Sequence, residues 1–197
     1  MRILAVADQE ESFLWDHYKP GMLDDIDLIL SAGDLDPRYL SFLVTMAKCP
    51  LLYVHGNHDG HYDEVPPEGC DCIEDKLVVY KGVRILGLGG SIRYNPGPHQ
   101  YSQREMERRC WKVGWKIAYH KGVDILLTHS PAKGLGDDPT SSSHIGFEAF
   151  TDMVDKYQPK YMVHGHVHLN YGYKVPRLQE RGETKILNAC GRWIFEI

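Results

Sequence analysis

Seven residues of this chain carry donor atoms of the kind that hold divalent cations: Asp8, Glu10, Asp34, Asn57, His129, His166 and His168. Together they offer carboxylate and amide oxygens and imidazole nitrogens, with no thiol among them. That donor set suits hard and borderline divalent metals such as manganese, iron, zinc or magnesium. Asp8 and Glu10 stand two residues apart, as do His166 and His168, and on an extended segment residues two apart point to the same side. Each pair is therefore expected to face one site.

The elements that must position these donors are short apolar runs. Residues 2–7 read as a buried first strand ending at Asp8, and residues 26–31 as a second, followed by Gly33-Asp34. Asp36 as N-cap and Pro37 at the first helical position open a helix to about residue 49. A third strand, 51–54, runs into His55-Gly56-Asn57-His58-Asp59, and residues 60–75 read as loop. Strands over 77–80 and 83–88 form a hairpin at Lys81-Gly82, and a second loop covers 89–98. Apolar residues at helical spacing predict a helix over 101–121, and residues 123–128 form a strand leading to His129. A long loop over 133–143 and a helix over 147–157 precede a strand, 161–163, that ends at the His164–His168 cluster. Strands over 171–175, 184–188 and 193–197 close the chain. This order implies an α/β protein with helices covering its sheets. Ligand sites in such folds gather at the carboxyl ends of strands, which is where all the donors lie.

Asp8-Gln9-Glu10, Gly33-Asp34, Gly56-Asn57-His58-Asp59, Thr128-His129 and Gly165-His166-Val167-His168 resemble, in order, the signature of the calcineurin-like metallophosphoesterases. The motifs span most of the chain, and five in sequence are far more specific than any one. The resemblance implies a four-layer α-β-β-α sandwich of two mixed sheets, formed by residues 1–197 as one domain. It also implies two divalent cations bridged by Asp34, manganese first, with iron, zinc or magnesium as alternatives. Asp8, Glu10 and His168 would complete one shell, and Asn57, His129 and His166 the other. His58 would be the acid that protonates the leaving oxygen, with Asp59 orienting its ring and a dimetal-bound hydroxide as the nucleophile.

Glu10 departs from the family pattern, where the first motif reads Asp-x-His. The substitution makes the bimetal unit one charge less positive and is expected to bias the first site toward manganese or magnesium. The stretch Leu126-Leu127-Thr128-His129-Ser130-Pro131, with Gly134, Gly136-Asp137, His144, Gly146 and Asn170-Tyr171-Gly172, is similar to the metallophosphoesterase-domain protein branch. That branch is associated with phosphodiester hydrolysis, which favours a diester over a monoester and brings His144 toward substrate. The alternatives are a phosphomonoesterase or nucleotide pyrophosphatase and, outside enzymes, a degenerate protein-binding scaffold.

The rest of the sequence bounds partners and compartment. A formal net charge of −5 over 197 residues would not draw the chain to nucleic acid or an anionic membrane. A small phosphoester, nucleotides included, is the expected partner. Five scattered cysteines, odd in number, suggest reduced thiols in the cytoplasm. The apolar start is too short for a signal peptide. His55 and His164, each just before a motif glycine, suit packing or supporting roles; His17, His61, His99 and His120 read as surface residues. The helix over 101–121 carries six basic residues, open to a nucleic-acid surface or a solvated face. Its tryptophans and tyrosines fit either a dimer face or the core.

Overall fold

The computed structural model describes residues 1–169 and 175–197. Strand β1 (Arg2–Ala7) is apolar after its first residue and has five buried residues of six, as expected of a strand covered on both faces. It pairs in parallel with β2 (Leu28–Ser31), which pairs in parallel with β3 (Leu51–Tyr53). Between β2 and β3 runs helix α1 (Pro37–Ala47), whose N-cap Asp36 accepts the backbone N–H of Arg38 at 2.8 Å. It ends at Lys48 in the left-handed region. A two-residue strand β4 (Asp71–Cys72) extends this sheet beyond β3.

The second sheet begins with the hairpin β5 (Leu77–Tyr80) and β6 (Val83–Leu88). After a small pair, β7 (Ser91–Ile92) and β8 (Gln100–Tyr101), comes helix α2 (Gln103–Tyr119). Its N-terminus is closed by a capping box between Ser102 and Glu105. Then follow β9 (Ile125–Thr128), α3 (Glu148–Tyr157), β10 (Tyr161–His164), β11 (Leu178–Arg181), β12 (Thr184–Asn188) and β13 (Gly191–Glu196). The last strand returns to the first sheet, antiparallel to β1. One sheet thus has the order β13-β1-β2-β3-β4 and the other β11-β12-β10-β9-β6-β5.

Three apolar clusters show why the layers stack. Ile3, Ala5, Leu28 and Leu30 from the first sheet meet Ile85, Ile125, Leu127 and Val163 from the second, filling the space between sheets. Leu4, Val6 and Ile29, on the opposite face of the first sheet, pack under Tyr39, Leu40 and Leu43 of α1. Leu86, Leu126 and Met162, on the opposite face of the second, pack under Val113 and Ile117 of α2 and Phe150 and Met153 of α3. Alternate residues of each strand therefore serve different layers, giving the four-layer α-β-β-α sandwich.

The structure adds elements to the sequence reading. A 3-10 turn (Asp59–Asp63), β4, β7 and β8 occupy stretches that read as loops or helix. Three of those pieces are only two residues long, too short to carry a periodic signal. Strand β11 is a mostly polar edge strand (Leu-Gln-Glu-Arg) whose register comes from its partner β12. The strand expected over 171–175 lies, apart from Val175, outside the described residues, as does the motif 170–172. No helix among the described residues is long and apolar enough to cross a membrane.

Candidate metal centre

Parallel pairing of β1, β2 and β3 puts Asp8, Asp34 and Asn57 at one end of the first sheet, and parallel β9 and β10 put His129 and His166 at the matching end of the second. Two close approaches bring the loops of the first sheet together. A Cβ on Gly33, which has φ +95°, would overlap the Gly56 nitrogen, and a Cβ on Gly56 would overlap Asp34 Oδ1. Only glycine leaves room at both places. Across the sheets, the backbone N–H of His166 donates to both carboxylate oxygens of Asp8 at 2.9 and 3.0 Å.

Strict strand alternation does not hold at the donors. Asp8, Asp34 and His166 all have positive φ, 62°, 57° and 68°, so the chain leaves the extended conformation at the donors themselves. Left-handed non-glycine residues are uncommon and cluster at functional sites.

Three donors converge on one imidazole nitrogen. His129 Nε2 lies 3.0 Å from Asn57 Oδ1, 3.1 Å from His166 Nδ1 and 3.4 Å from Asp34 Oδ2. His129 Nδ1 donates to the Ala32 carbonyl at 2.7 Å, and His166 Nε2 donates to the Ser143 carbonyl at 2.7 Å. Each ring thus has one nitrogen tied to the backbone and the other turned toward the carboxylate, the arrangement that fixes a metal-binding tautomer. Asn57 Nδ2 donates to the Tyr94 hydroxyl at 3.1 Å, which leaves Oδ1 as the atom facing inward. Among the described residues Asp34, His129 and His166 form a group with ligand atoms all within 4.8 Å of one another.

The electrostatics favour a cation. Burial pushes the Asp8 carboxyl up to about 7, with the Asp34 charge adding to the rise. Burial alone would lower His129, but the Asp34 carboxylate outweighs it and draws the ring up to about 9. Both shifts, a buried Asp8 whose charge is disfavoured and a His129 drawn positive by Asp34, mark a place that takes up positive charge. The nitrogen and oxygen donors fit a divalent metal there.

Other expected residues lie in places that change their roles. Glu10 is exposed, and its Oε1 accepts the backbone N–H of Asp36 at 2.8 Å, at the entrance to α1. The structure therefore does not bring it into the cluster. The left-handed turn at Asp8 breaks the extended register that would have aligned the two side chains. His168 is half-buried, with Nδ1 3.4 Å from Gln9 Nε2. His58 is exposed, and its backbone N–H donates to Asp34 Oδ1 at 2.8 Å. Asp59 is buried and does not orient the His58 ring. Its Oδ2 accepts the backbone N–H groups of Gly56 at 2.7 Å and Asp34 at 2.8 Å, bracketing the loops after β2 and β3. The Asp59 Oδ1 atom has no hydrogen-bond partner among the described residues. His144 reaches the site from beside the 133–143 loop: its ring lies 5.0 Å from that of His166.

Sequence reasoning missed a supporting layer. Glu74 accepts the backbone N–H groups of His55 and Gly89 and pairs with Arg109 of α2. Burial would raise its carboxyl, but the His55 bond and the Arg109 guanidinium hold it at about 2. His99, expected at the surface, stacks on His55 with ring centres 4.3 Å apart. Tyr94 and Glu74 lie in stretches that read as loops, and no spacing rule marks either.

Residues 7–170 match the family model described as calcineurin-like phosphoesterase. The chain belongs to that family. Membership places this phosphoesterase among metal-dependent hydrolases of phosphoesters, and the donor cluster is a candidate site for the metal. An uncharacterised Haemophilus influenzae protein is 25% identical over 98% of this chain and 96% of its own length. Human metallophosphoesterase domain-containing protein 1 is 28% identical over 61% of this chain, and a Caenorhabditis elegans UPF0046 protein 29% identical over 60%. Those matches span 34% and 28% of the two relatives' lengths. In fold, this phosphoesterase is similar to TT1561 of Thermus thermophilus, with a TM-score of 0.64 at 17% identity over 96% of this chain and 89% of that one. It is also similar to Plasmodium GAP50, with 0.57 at 12% over 97% and 71%.

Proposed function

We propose that this chain hydrolyses a phosphodiester with two divalent cations, manganese first. Asp34, Asn57, His129 and His166 hold one cation; Asp8, Asp34 and His168 hold the other. The observation that carries the reading is the convergence of Asp34, Asn57 and His166 on His129 Nε2, with both rings anchored through their other nitrogens. When bound, such cations polarise phosphoryl oxygens and lower the pKa of water.

The chain's own groups divide the remaining work. The His58 N–H holds Asp34 Oδ1, and Asp59 holds the backbone on which Asp34 sits, so the shared carboxylate is fixed before any cation arrives. The exposed ring of His58 is the group that protonates the leaving oxygen, a contribution of about 10²–10⁴-fold for a well-placed acid. His144, packed beside His166, borders the space where the ester lies. Five free thiols support a cytoplasmic setting.

The test is hydrolysis of bis(p-nitrophenyl) phosphate and p-nitrophenyl phosphate, after chelation and then with Mn²⁺ restored. Metal-dependent turnover favouring the diester is expected, abolished by Asp34→Asn and reduced at least about 100-fold by His58→Ala, as loss of a general acid requires. A folded protein that turns over neither ester with any divalent metal sinks the proposal and leaves a binding scaffold.

A further inference from the structure

Three aromatic side chains on α2 stand in solvent: Trp111 is 82% exposed, Trp115 66% and Tyr119 77%. They recur every fourth residue and so form one ridge along the helix, set apart from Met106, Val113 and Ile117, which face the core. At about 200 Å² per aromatic side chain, the ridge displays roughly 450 Å² of ring surface. That is more than half of the ~800 Å² each partner contributes to a standard interface.

Beside the ridge lies its complement. A groove of about 720 Å³ runs between α2 and α3. Its floor is made of small and apolar residues, Cys110, Gly114 and Ala118 on α2 and Ala149 and Met153 on α3, and its wall is formed by Trp111 and Trp115. An aromatic ridge and a groove floored with small residues, side by side on one face, are what a two-fold interface uses. The ridge of each copy enters the groove of the other, because an isologous contact pairs every patch with its symmetry mate.

We propose that this α2–α3 face is where two copies of the chain meet, their α2 helices crossing antiparallel with Trp111 of one against Trp115 of the other. Both charge signs are present, since Glu107, Asp152 and Lys156 all line the groove, so each copy offers partners to the other. The net charge of −5, with two carboxylates in the groove, disfavours an anionic membrane and a nucleic acid alike. The donor cluster lies at the carboxyl ends of the strands, whereas the ridge stands on the solvent side of α2, the helix packed on the outer face of the second sheet, so dimerisation leaves the metal site open.

The experiment is light scattering after size exclusion, with sedimentation velocity from about 1 to 100 μM, on the chain as it stands. The expected mass is near twice 22.5 kDa, insensitive to salt between about 0.05 and 0.5 M because the contact is apolar at its centre. The double change Trp111→Ala with Trp115→Glu, and separately Tyr119→Glu, should shift the mass to that of one chain and leave phosphoester turnover and the circular-dichroism spectrum as they were. A wild-type chain that is monomeric at about 100 μM overturns the proposal, as does a dimer that persists in both variants. So does a monomer that binds anionic vesicles or single-stranded nucleic acid through these aromatics and is released by salt.

Discussion

Asp59→Ala separates two accounts of the residue that follows His58. If Asp59 orients the His58 ring, its loss lowers turnover and spares stability. In the structure it acts on the backbone instead. Its Oδ2 accepts the N–H groups of Gly56 at 2.7 Å and Asp34 at 2.8 Å, in a residue only 1% exposed. Truncation leaves two donors without their partner, at about 1–3 kcal/mol for each buried group. The carboxyl is itself raised by burial and by the Asp34 charge, so removing it recovers part of that loss, leaving a net cost on the order of 3 kcal/mol. For a chain of this size, about 2–4 °C per kcal/mol gives a fall in Tm on the order of 10 °C. Thermal unfolding of chelator-treated protein measures this directly. Calorimetric Mn²⁺ titration of the same variant should show weakened binding, because Asp34 and Asn57 hang from the two loops Asp59 joins. A Tm within about 2 °C of wild type, combined with lost turnover, would refute the bracket and restore the ring-orienting role.

Two further outcomes follow from the layer around the cluster. Tyr94→Phe removes the hydroxyl that turns Asn57 Oδ1 inward; the bond is part-buried and worth about 0.5–1 kcal/mol. Calorimetry should therefore show Mn²⁺ affinity lower by roughly 2–5-fold with Tm lower by only about 1–4 °C, and an unaltered affinity would count against the assignment. Glu74, held at about 2 in the folded chain from an ordinary 4.5, contributes stability that is complete above its unfolded pKa and is lost as pH falls from about 4.5 toward 2. That linkage amounts to about 3 kcal/mol. Glu74→Gln should unfold more readily in urea at neutral pH and show a shallower acid limb, and an acid limb as steep as wild type would contradict it.

Asp34, Asn57, His129 and His166, their order and the strands that precede them could be read from the amino-acid order alone. Arg2–Ala7, Leu77–Tyr80, Val83–Leu88 and Thr184–Asn188 stand where the sequence pattern places strands. For β1 the reason is plain, since a strand buried on both faces must be continuously apolar. Asp36 and Pro37 open α1 as capping chemistry requires. Pattern stopped being a guide at Asp8, Asp34 and His166, where positive φ reorients the side chains. A period-two rule describes extended chain and says nothing once the chain turns left-handed. Which donors meet was a matter of tertiary packing. Asp34, Asn57, His129 and His166 follow four strands in two sheets, while Glu10, two residues from Asp8, is drawn to the Asp36 N–H instead. Asp59 as bracket, Tyr94 behind Asn57 and Glu74 beneath His55 were equally illegible. Each acts through a partner more than a dozen residues away in the chain, and no local pattern encodes contacts of that span. The aromatic stripe of α2 was legible as a stripe. Whether it faced core or solvent was not, because the helix carries apolar residues on both faces and the sheet chose which one to bury.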